Sequence, residues 1–207
     1  MILATLGFRK VANDPSGAPV WRRPKVMGPD RKLRSEFDKS RHVARFILTG
    51  LYNGTRHEAI LRLKWLPTTE GGYVDLRVGI LYRRGQGEGE GESSKRRTPV
   101  PLSNSLQAHM WRWKGQSVSH VVEFEGLPLD RLRRAWNTAR LAAGLGEEVT
   151  PHILRHTFAT WAVREGVSFG MVALALGTTE RIVRDVYGHH APDHMRGVVE
   201  AVSGRRR

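Results

Sequence analysis

Two short strand patterns interrupt a chain whose other patterns are mainly helical, and this restricts the fold more than any other feature. In the segment GGYVDLRVGILYRRG, strand-like runs at 73–77 and 80–83 flank Gly79, which predicts a β-hairpin. RRTPVPL at 96–102 should return as an extended edge segment, because proline cannot donate a hydrogen bond in a central strand. The predicted fold class is therefore mostly α with a small antiparallel β-sheet (α+β), and the sheet is inserted after the second helix.

Helical periodicity covers most of the remaining chain. Asn53-Gly54 should end the first helix and Gly177 should separate two later ones. A strand-like run at 118–124 lies between helices, and the helix after it should place Leu132, Trp136 and Leu141 on its core side. The predicted helices are 37–51, 55–65, 105–114, 129–145, 151–164, 169–176 and 179–187, with a last helix after Pro192.

The charge of the chain points to a polyanionic partner. Its 207 residues include 34 Lys and Arg against 20 Asp and Glu, for a net charge of +14 and a pI near 11.1. Nucleic acid is the commonest partner of such proteins. An anionic membrane surface is the alternative, but the sequence contains no basic amphipathic helix that would favour it. The absence of cysteine excludes disulfides and thiolate metal sites, and with no apolar run of membrane-spanning length we expect a cytoplasmic protein.

Composition divides the chain into a central domain and less regular ends. Residues 1–36 are rich in proline, glycine and basic side chains and predict an extended arm or a remnant of a longer region. The central domain should span 37–203, and 204–207 form a basic tail. Within the domain, the glycine-rich GQGEGEGESSK segment at 85–95 predicts a flexible hairpin tip.

The stretch PHILRHTFAT at 151–160 carries an unusual polar face. Thr150 is a suitable N-cap, and proline at the next position suits the first turn of a helix. One side of this helix presents His152, Arg155, His156 and Ala159, and the other side presents Leu154, Phe158 and Trp161 as core anchors. Imidazole and guanidinium groups bind anions or move protons, although a structural histidine beside a surface arginine explains this segment alone about equally well.

Other candidate residues are ordinary when taken one at a time. Arg56 follows the Asn53-Gly54 break, Lys95 follows the glycine-rich segment, and Tyr187 ends a helix before a glycine. Each of these has a simpler explanation as a surface charge or a packed ring. A metal site formed by His189, His190 and His194 in HHAPDH is a weak alternative, because a proline interrupts the run and no carboxylate or cysteine completes it.

Together these segments resemble the catalytic domain of the tyrosine recombinases, the phage integrase family, over about residues 37–196. LYNGTRHEAILRLKW resembles the first arginine box, and TPHILRHTFAT resembles the His-x-x-Arg-His box. KRRTPVPL resembles the end of the hairpin that carries a catalytic lysine, and LGTTERIVRDVYGHH resembles the nucleophile box. Four boxes in the family's order, with similar spacing between the last two, are far more specific than any one of them.

The resemblance implies a DNA breaking and rejoining fold and a set of roles. It implies a 3′-phosphotyrosyl link formed by Tyr187, protonation of the leaving 5′ oxygen by Lys95, and a base or hydrogen-bonding role for His152. Two arginines would stabilise the charge that develops on the phosphate, so no cofactor or metal is expected. The implied catalytic residues are Arg56, Lys95, His152, Arg155, Thr178 and Tyr187, and the implied DNA contacts are Arg96, Arg97 and His156.

The sequence departs from the family pattern in two places. Thr178 stands where the family usually has a histidine or tryptophan, which predicts weakened chemistry, although a role for Thr178 as a helix N-cap is also expected. The 36 residues before the match are too few for the family's usual N-terminal helical domain, which should lower affinity and specificity for DNA. The sequence therefore predicts a truncated gene product, an engineered fragment or a minimal recombinase.

Several alternatives remain open from sequence. A type IB topoisomerase would use the same chemistry with a different outcome, a DNA-binding remnant would lack turnover, and a basic RNA-binding or structural protein would match by accident. The expected partner is double-stranded DNA, with a monomer in the absence of DNA. A homo-tetramer on paired sites would use the C-terminal helix around PDHMRGVVEAV, although that helix could equally pack on its own domain.

Overall fold

The computed structural model describes residues 9–13, 19–22, 40–88, 97–191, 200, 202 and 203. Its described helices are α1 (Arg41–Asn53), α2 (His57–Leu61), α3 (Asn104–Lys114), α4 (Arg133–Ala142), α5 (Ile153–Arg164), α6 (Phe169–Leu176) and α7 (Glu180–Tyr187), followed by one 3₁₀ turn at Gly188–His190. The helical class predicted from the sequence is confirmed.

The strands form three small antiparallel sheets. β3 (Tyr73–Asp75) pairs with β4 (Ile80–Tyr82), and β5 (Val100–Pro101) pairs with the other edge of β4, as the hairpin and edge patterns predict. Leu81 of the central strand lies opposite Val74 on one side and Val100 on the other. The other two sheets pair β1 (Arg9–Asn13) with β2 (Pro19–Arg22), and β6 (Glu123–Phe124) with β7 (Leu127–Pro128).

Helix α1 ends at Asn53 because Gly54 turns the backbone into the left-handed region. Gly54 has φ of +64° and its N–H closes the helix on the carbonyl of Gly50 at 2.9 Å. A Cβ at position 54 would lie 2.6 Å from Cδ1 of Phe158 and 2.9 Å from Cδ2 of Leu176. Only glycine therefore suits both the backbone angle and the space at this point, which is the end of the first helix predicted from the sequence.

A large hydrophobic cluster occupies the region around α1 and the three-stranded sheet. We call this cluster the first core. In it, the ring of Phe46 of α1 packs edge-on against Trp136 of α4 with ring centroids 6.0 Å apart, and Leu81 is the contribution of the central strand β4. Leu154, near the start of α5, also belongs to this cluster. Helix α1 thus packs against the beginning of α5, and the first core fixes the loop between α1 and α2 in place.

A smaller cluster lies around the later part of α5, α6 and α7. We call it the second core: its buried residues are Ala159, Val163, Val172, Ala173, Leu176, Val183, Tyr187 and Ala191. The side chains are mostly alanine and valine, so the three helices approach closely around a small apolar volume. Helix α5 contributes to both cores. Among the described residues, Tyr187 is the one buried aromatic side chain of the second core.

Three details of the helices differ from the sequence predictions. Leu141 and Trp161 are 67% and 51% exposed, so neither anchors its helix in a core as predicted. Helix α5 begins at Ile153 and not at the predicted Thr150-Pro151 start, with His152 as its N-cap residue. The α7 N-cap is Thr179, whose side chain accepts from the N–H of Ile182, and not the predicted Thr178.

Other predictions concern the chain ends. The predicted N-terminal arm contains the β1–β2 hairpin. Most of the predicted last helix, 192–199, lies outside the described residues, as do the basic tail and residues 89–95 of the glycine-rich hairpin tip. A search of the described helices finds none with the length and apolar character needed to cross a membrane.

Candidate active site

The loop between α1 and α2 presents the first predicted catalytic arginine. Arg56 is the N-cap residue of the short helix α2, and its extended backbone turns the chain from the loop into that helix. Its guanidinium Nη2 donates to the carbonyl of Gly177 at 3.4 Å, which joins this loop to the turn between α6 and α7. Burial and the positive charge of Arg97 lower the pKa of Arg56.

The second predicted arginine comes from α5 and is buried at the junction of the two cores. Arg155 is 8% exposed, and its Nη1 donates to the carbonyl of Gly54 at 2.9 Å. Burial and the nearby Arg56 charge lower the pKa of Arg155 to about 10, so the guanidinium stays protonated at neutral pH. The two arginines therefore converge from different elements on one loop, with their charges close together.

The predicted nucleophile contacts the same face of α5. Tyr187 ends α7 with its side chain only 7% exposed, and its hydroxyl lies 2.8 Å from Nδ1 of His156. Burial raises the pKa of Tyr187 above its ordinary value, and the positive charge of Arg155 offsets only part of this rise. The phenol is therefore protonated in the absence of substrate, and it needs a proton acceptor if it is to attack an electrophile.

The predicted base, His152, lies beside that contact. Its ring is edge-on to the ring of His156 with centroids 4.6 Å apart, and residue 152 is exposed. Partial desolvation of the imidazole against the protein, together with the neighbouring His156 and Arg155, lowers the pKa of His152. His152 is therefore neutral near pH 7, but the imidazole at hydrogen-bonding distance from the Tyr187 hydroxyl is that of His156.

A pocket lies beside Arg56 and Arg155, and arginine dominates its lining. Arg56, Arg83, Arg97 and Arg155 line it, and Glu88 accepts from the N–H of Gly71 at 2.6 Å and forms an ion pair with Arg97. Although partial burial raises the pKa of Glu88, the Gly71 hydrogen bond and the Arg97 charge hold it below its usual value. The lining thus combines several guanidinium groups with the carboxylates of Glu58 and Glu88, and its excess of positive charge suits a phosphate group.

The remaining predicted residues are placed less directly. Thr178 is half-buried and follows Gly177, and its N–H donates to the carbonyl of Ala173 at 3.0 Å to complete the turn after α6. It therefore lies next to the carbonyl that Arg56 contacts. Lys95 and Arg96 lie outside the described residues, whereas Arg97 lines the pocket.

Sequence reasoning missed Arg83, which directly follows β4. This side chain is 4% exposed and forms part of the pocket wall. The signal that could have identified it is alternation along the strand, since residue 83 shares a face with Leu81, which is fully buried. An arginine on the buried face of a hairpin is rare enough to mark a functional region.

The metal alternative finds no arrangement to support it where side chains are described. Within 40–88 and 97–191, no group of three or more His, Asp or Glu side chains is placed to hold a metal ion. His189 and His190 have ring centroids 3.8 Å apart, and His194 lies outside the described residues.

Comparisons with known proteins identify the family. Residues 38–194 match the family model described as the phage integrase family, and the chain belongs to this family. It is 30% identical over 173 residues to the tyrosine recombinase XerA of Thermococcus kodakarensis, an alignment that covers 82% of this chain and 59% of the relative. It is 33% identical over 88 residues to the tyrosine recombinase XerD of Corynebacterium glutamicum, covering 41% of this chain and 29% of the relative.

Solved structures show the same fold. A crystal structure of XerA recombinase matches 90% of this chain and 66% of that chain, with a TM-score of 0.56 at 20% identity. The catalytic domain of bacteriophage HP1 integrase matches 77% of this chain and 81% of that chain, with a TM-score of 0.52 at 20% identity. The Tn1549 transposon integrase in complex with circular intermediate DNA matches 84% and 62%, with a TM-score of 0.56 at 17% identity.

These findings confirm the family and the fold class predicted from the four sequence boxes. The chain spans less than two thirds of the length of the curated relatives described above.

Proposed function

We propose that this chain is a site-specific DNA recombinase that cleaves and rejoins strands through a 3′-phosphotyrosyl intermediate at Tyr187. The observation that carries the proposal is the placement of a protonated tyrosine hydroxyl 2.8 Å from His156, on the helix that also bears the buried Arg155. Tyr187 of α7 would supply the nucleophile, and His156 and Arg155 of α5 would supply a proton acceptor and an oxyanion-binding group, the three groups that phosphoryl transfer needs.

In the proposed step, the phenolic oxygen of Tyr187 forms a bond to phosphorus while the bond from phosphorus to the 5′ oxygen breaks. The phenolic proton passes to an imidazole nitrogen, and the geometry favours His156, with His152 beside it as a second acceptor. Lys95 is proposed to protonate the departing 5′ oxygen. Attack by a 5′-hydroxyl on the phosphotyrosine reverses these changes and rejoins the strand.

The two catalytic arginines are proposed to bind the non-bridging oxygens of the phosphate. Both pKa values are lowered chiefly by burial, and Arg155 also by its Arg56 neighbour, so an anion in the pocket would relieve their repulsion. Thr178 adds at most one hydroxyl donor from the adjacent turn, and Arg96 and Arg97 would contact the DNA backbone. Double-stranded DNA is the proposed substrate, in keeping with the net charge of +14 and with the DNA present in the Tn1549 integrase structure.

The test is covalent capture of the protein on DNA. The chain is incubated with a pool of nicked duplexes whose sequence is randomised on both sides of the nick, so that strand cleavage releases a short fragment and traps the adduct. A denaturing gel should show a slower protein band that contains DNA. Tyr187→Phe retains the buried ring but lacks the nucleophilic oxygen, so its adduct should fall below detection.

Two results would contradict the proposal. The first is an adduct that persists in Tyr187→Phe, which would place the nucleophile elsewhere. The second is the absence of an adduct from the unsubstituted chain when a mobility shift still detects DNA binding, which would indicate a binding module without turnover.

We further propose that the chain is monomeric without DNA and assembles into a homo-tetramer on paired sites through its C-terminal segment. The outward apolar side chains of α6 and α7 support this, because Met171, Leu174, Ile182 and Val186 are each at least 43% exposed. Sedimentation velocity should show a monomer alone and a tetramer on DNA that carries paired sites. A variant that ends at Ala191 should bind as a monomer, and a tetramer formed by that variant would contradict the proposed contact.

A further inference from the structure

Arg83 is the most heavily hydrogen-bonded arginine of the described pocket. Its Nε donates to Oγ1 of Thr55 at 3.0 Å, and its Nη2 donates to both the carbonyl and the Oδ1 of Asn53, at 2.9 and 3.2 Å. Its Nη1 donates to the carbonyl of Ala175 at 2.6 Å. One side chain from the hairpin thus holds two other segments of the protein.

Those two segments carry the contacts of the other arginines. Asn53 and Thr55 flank Gly54, whose carbonyl accepts from Arg155, and the same loop continues into Arg56. Ala175 lies near the end of α6, two residues before Gly177, whose carbonyl accepts from Arg56. A shift of either segment would therefore move both guanidiniums that face the pocket.

The charge of Arg83 needs an explanation beyond hydrogen bonding. Within the described residues, none of its hydrogen-bond partners is a carboxylate, and burial together with the charges of Arg155 and Arg56 lowers its pKa to about 9. It is still protonated at neutral pH, so a buried positive charge is kept near two others. A buried cation without a carboxylate is most readily explained where an anion binds in the same pocket.

We propose that Arg83 is a positioning residue for the phosphate site, which fixes the loop at 53–56 against the end of α6 and so aligns Arg56 and Arg155 on the phosphate. This inference rests on the proposed strand-transfer function. Arg83 itself remains behind the loop and spends its donors on the protein. Its effect on the reaction is therefore exerted through Arg56 and Arg155.

The test compares Arg83→Met and Arg83→Lys with Arg77→Met in the full-length chain. Arg77 is an exposed arginine in the same hairpin, so Arg77→Met makes the same change of charge away from the pocket. The probe is a nicked duplex recovered from the pool through its adduct with the unsubstituted chain. It is prepared with either a phosphodiester or a neutral methylphosphonate at the cleaved linkage, and the rate of adduct formation is measured on each.

Arg83→Met should slow adduct formation on the phosphodiester by about 10- to 100-fold relative to Arg77→Met, the range typical of groups that orient reacting residues. The loss should be several-fold smaller on the methylphosphonate. This linkage is neutral, so its reaction depends less on arginines that neutralise a phosphate charge. Arg83→Lys keeps the charge, but its single nitrogen cannot span the four acceptors on Asn53, Thr55 and Ala175, so it should show the same ratio between substrates with a smaller total loss.

A purely structural role would lower both rates equally, in step with the fraction of folded protein measured by thermal unfolding. Equal losses on the two linkages in Arg83→Lys would overturn the positioning role, and so would rates equal to those of Arg77→Met. If the pool yields no adduct with the unsubstituted chain, the proposed function fails and the role of Arg83 fails with it. An active unsubstituted chain with an unaltered ratio in both variants rejects Arg83 alone.

Discussion

The two hydrophobic cores differ in the size of their side chains and in the proposed site residues that they support. The first core is built from large side chains such as Phe46 and Leu81, and it supports the loop that carries Arg56. The second core contains mainly small residues, and Tyr187 belongs to it. The loop that carries Arg56 thus rests on the larger core, whereas Tyr187 lies in the smaller cluster of short helices, and α5 joins the two.

Helix α5 is where the two regions meet. Its first turn buries Leu154 in the first core and its later turns bury Ala159 and Val163 in the second. Arg155 and His156 lie between these anchors, one contacting the arginine loop and the other the tyrosine. The helix therefore transmits the position of one region to the other, and the difference between the cores can be tested by substitution.

The largest expected effect is in the first core. Phe46→Ala removes a side chain that is 1% exposed and packs on Trp136, so it should lower the free energy of unfolding by about 3–5 kcal/mol. Denaturant unfolding followed by circular dichroism measures this change. A loss below about 1 kcal/mol would show that the first core does not support the fold as described.

A matched valine pair controls for the size of the deletion. Val121 of the first core and Val183 of the second are both fully buried. Each alanine variant should lose about 2 kcal/mol locally, but hydrogen exchange should rise across α6 and α7 only for Val183→Ala. Equal exchange in all helices for both variants would mean that the two cores open as one unit.

The next effect should come from the glycine between the two regions. Gly54→Ala would place a methyl group against Phe158 and Leu176 at a backbone φ of +64°, so it should cost about 1–3 kcal/mol of stability. Because the Gly54 carbonyl also accepts from Arg155, the variant should form adduct more slowly than its folded fraction explains. A thermal melt and an adduct assay on one preparation measure both quantities, and wild-type rates in the folded fraction would contradict the link.

The sequence predicts the elements of this architecture better than it predicts their contacts. The Asn53-Gly54 break and the hairpin about Gly79 depend on local backbone chemistry, and both were predicted. Trp161 was assigned to a core from helical periodicity, but the close approach of α6 and α7 selects Ala159 and Val163 instead. The choice between these faces depends on the neighbouring helices, which no local pattern contains.

The candidate site shows the same division. The boxes predict His156, Arg155 and Tyr187 as site residues, but only the folded chain places the tyrosine hydroxyl within hydrogen-bonding distance of His156. Thr178 was a reasonable N-cap from its type, yet the turn after α6 extends through residue 178 and moves the cap to Thr179. A turn that continues by one residue is decided by hydrogen bonds to Ala173, which the sequence does not display.

A smaller effect is expected in the pH dependence of stability. It should come from His152, whose ring lies against that of His156. The pKa of His152 is lowered in the folded state, so the unfolded chain binds more protons between that value and the ordinary histidine value of about 6.5. Stability should therefore be complete above the ordinary value and should fall as the pH drops through this window. Denaturant unfolding at several pH values should show a shallower acid loss for His152→Gln, and an unchanged slope would contradict the assignment.

The smallest effect should be on DNA affinity, at the carboxylate that shares the pocket with the arginines. Glu88 is ionised and paired with Arg97, so Glu88→Gln should release that guanidinium for a phosphate and remove a negative charge from the pocket wall. Because partly exposed ion pairs contribute up to about 1 kcal/mol, the affinity for duplex DNA at low salt should rise by about two- to fivefold.

A mobility-shift titration at two salt concentrations measures the change, with Glu147→Gln as an exposed control of equal charge. The gain should shrink at high salt, where screening weakens both the ion pair and the phosphate contact. An equal gain in affinity for Glu147→Gln would mean that the change in net charge alone raises the affinity. The ion pair with Glu88 would then hold Arg97 no more firmly than a surface arginine is held.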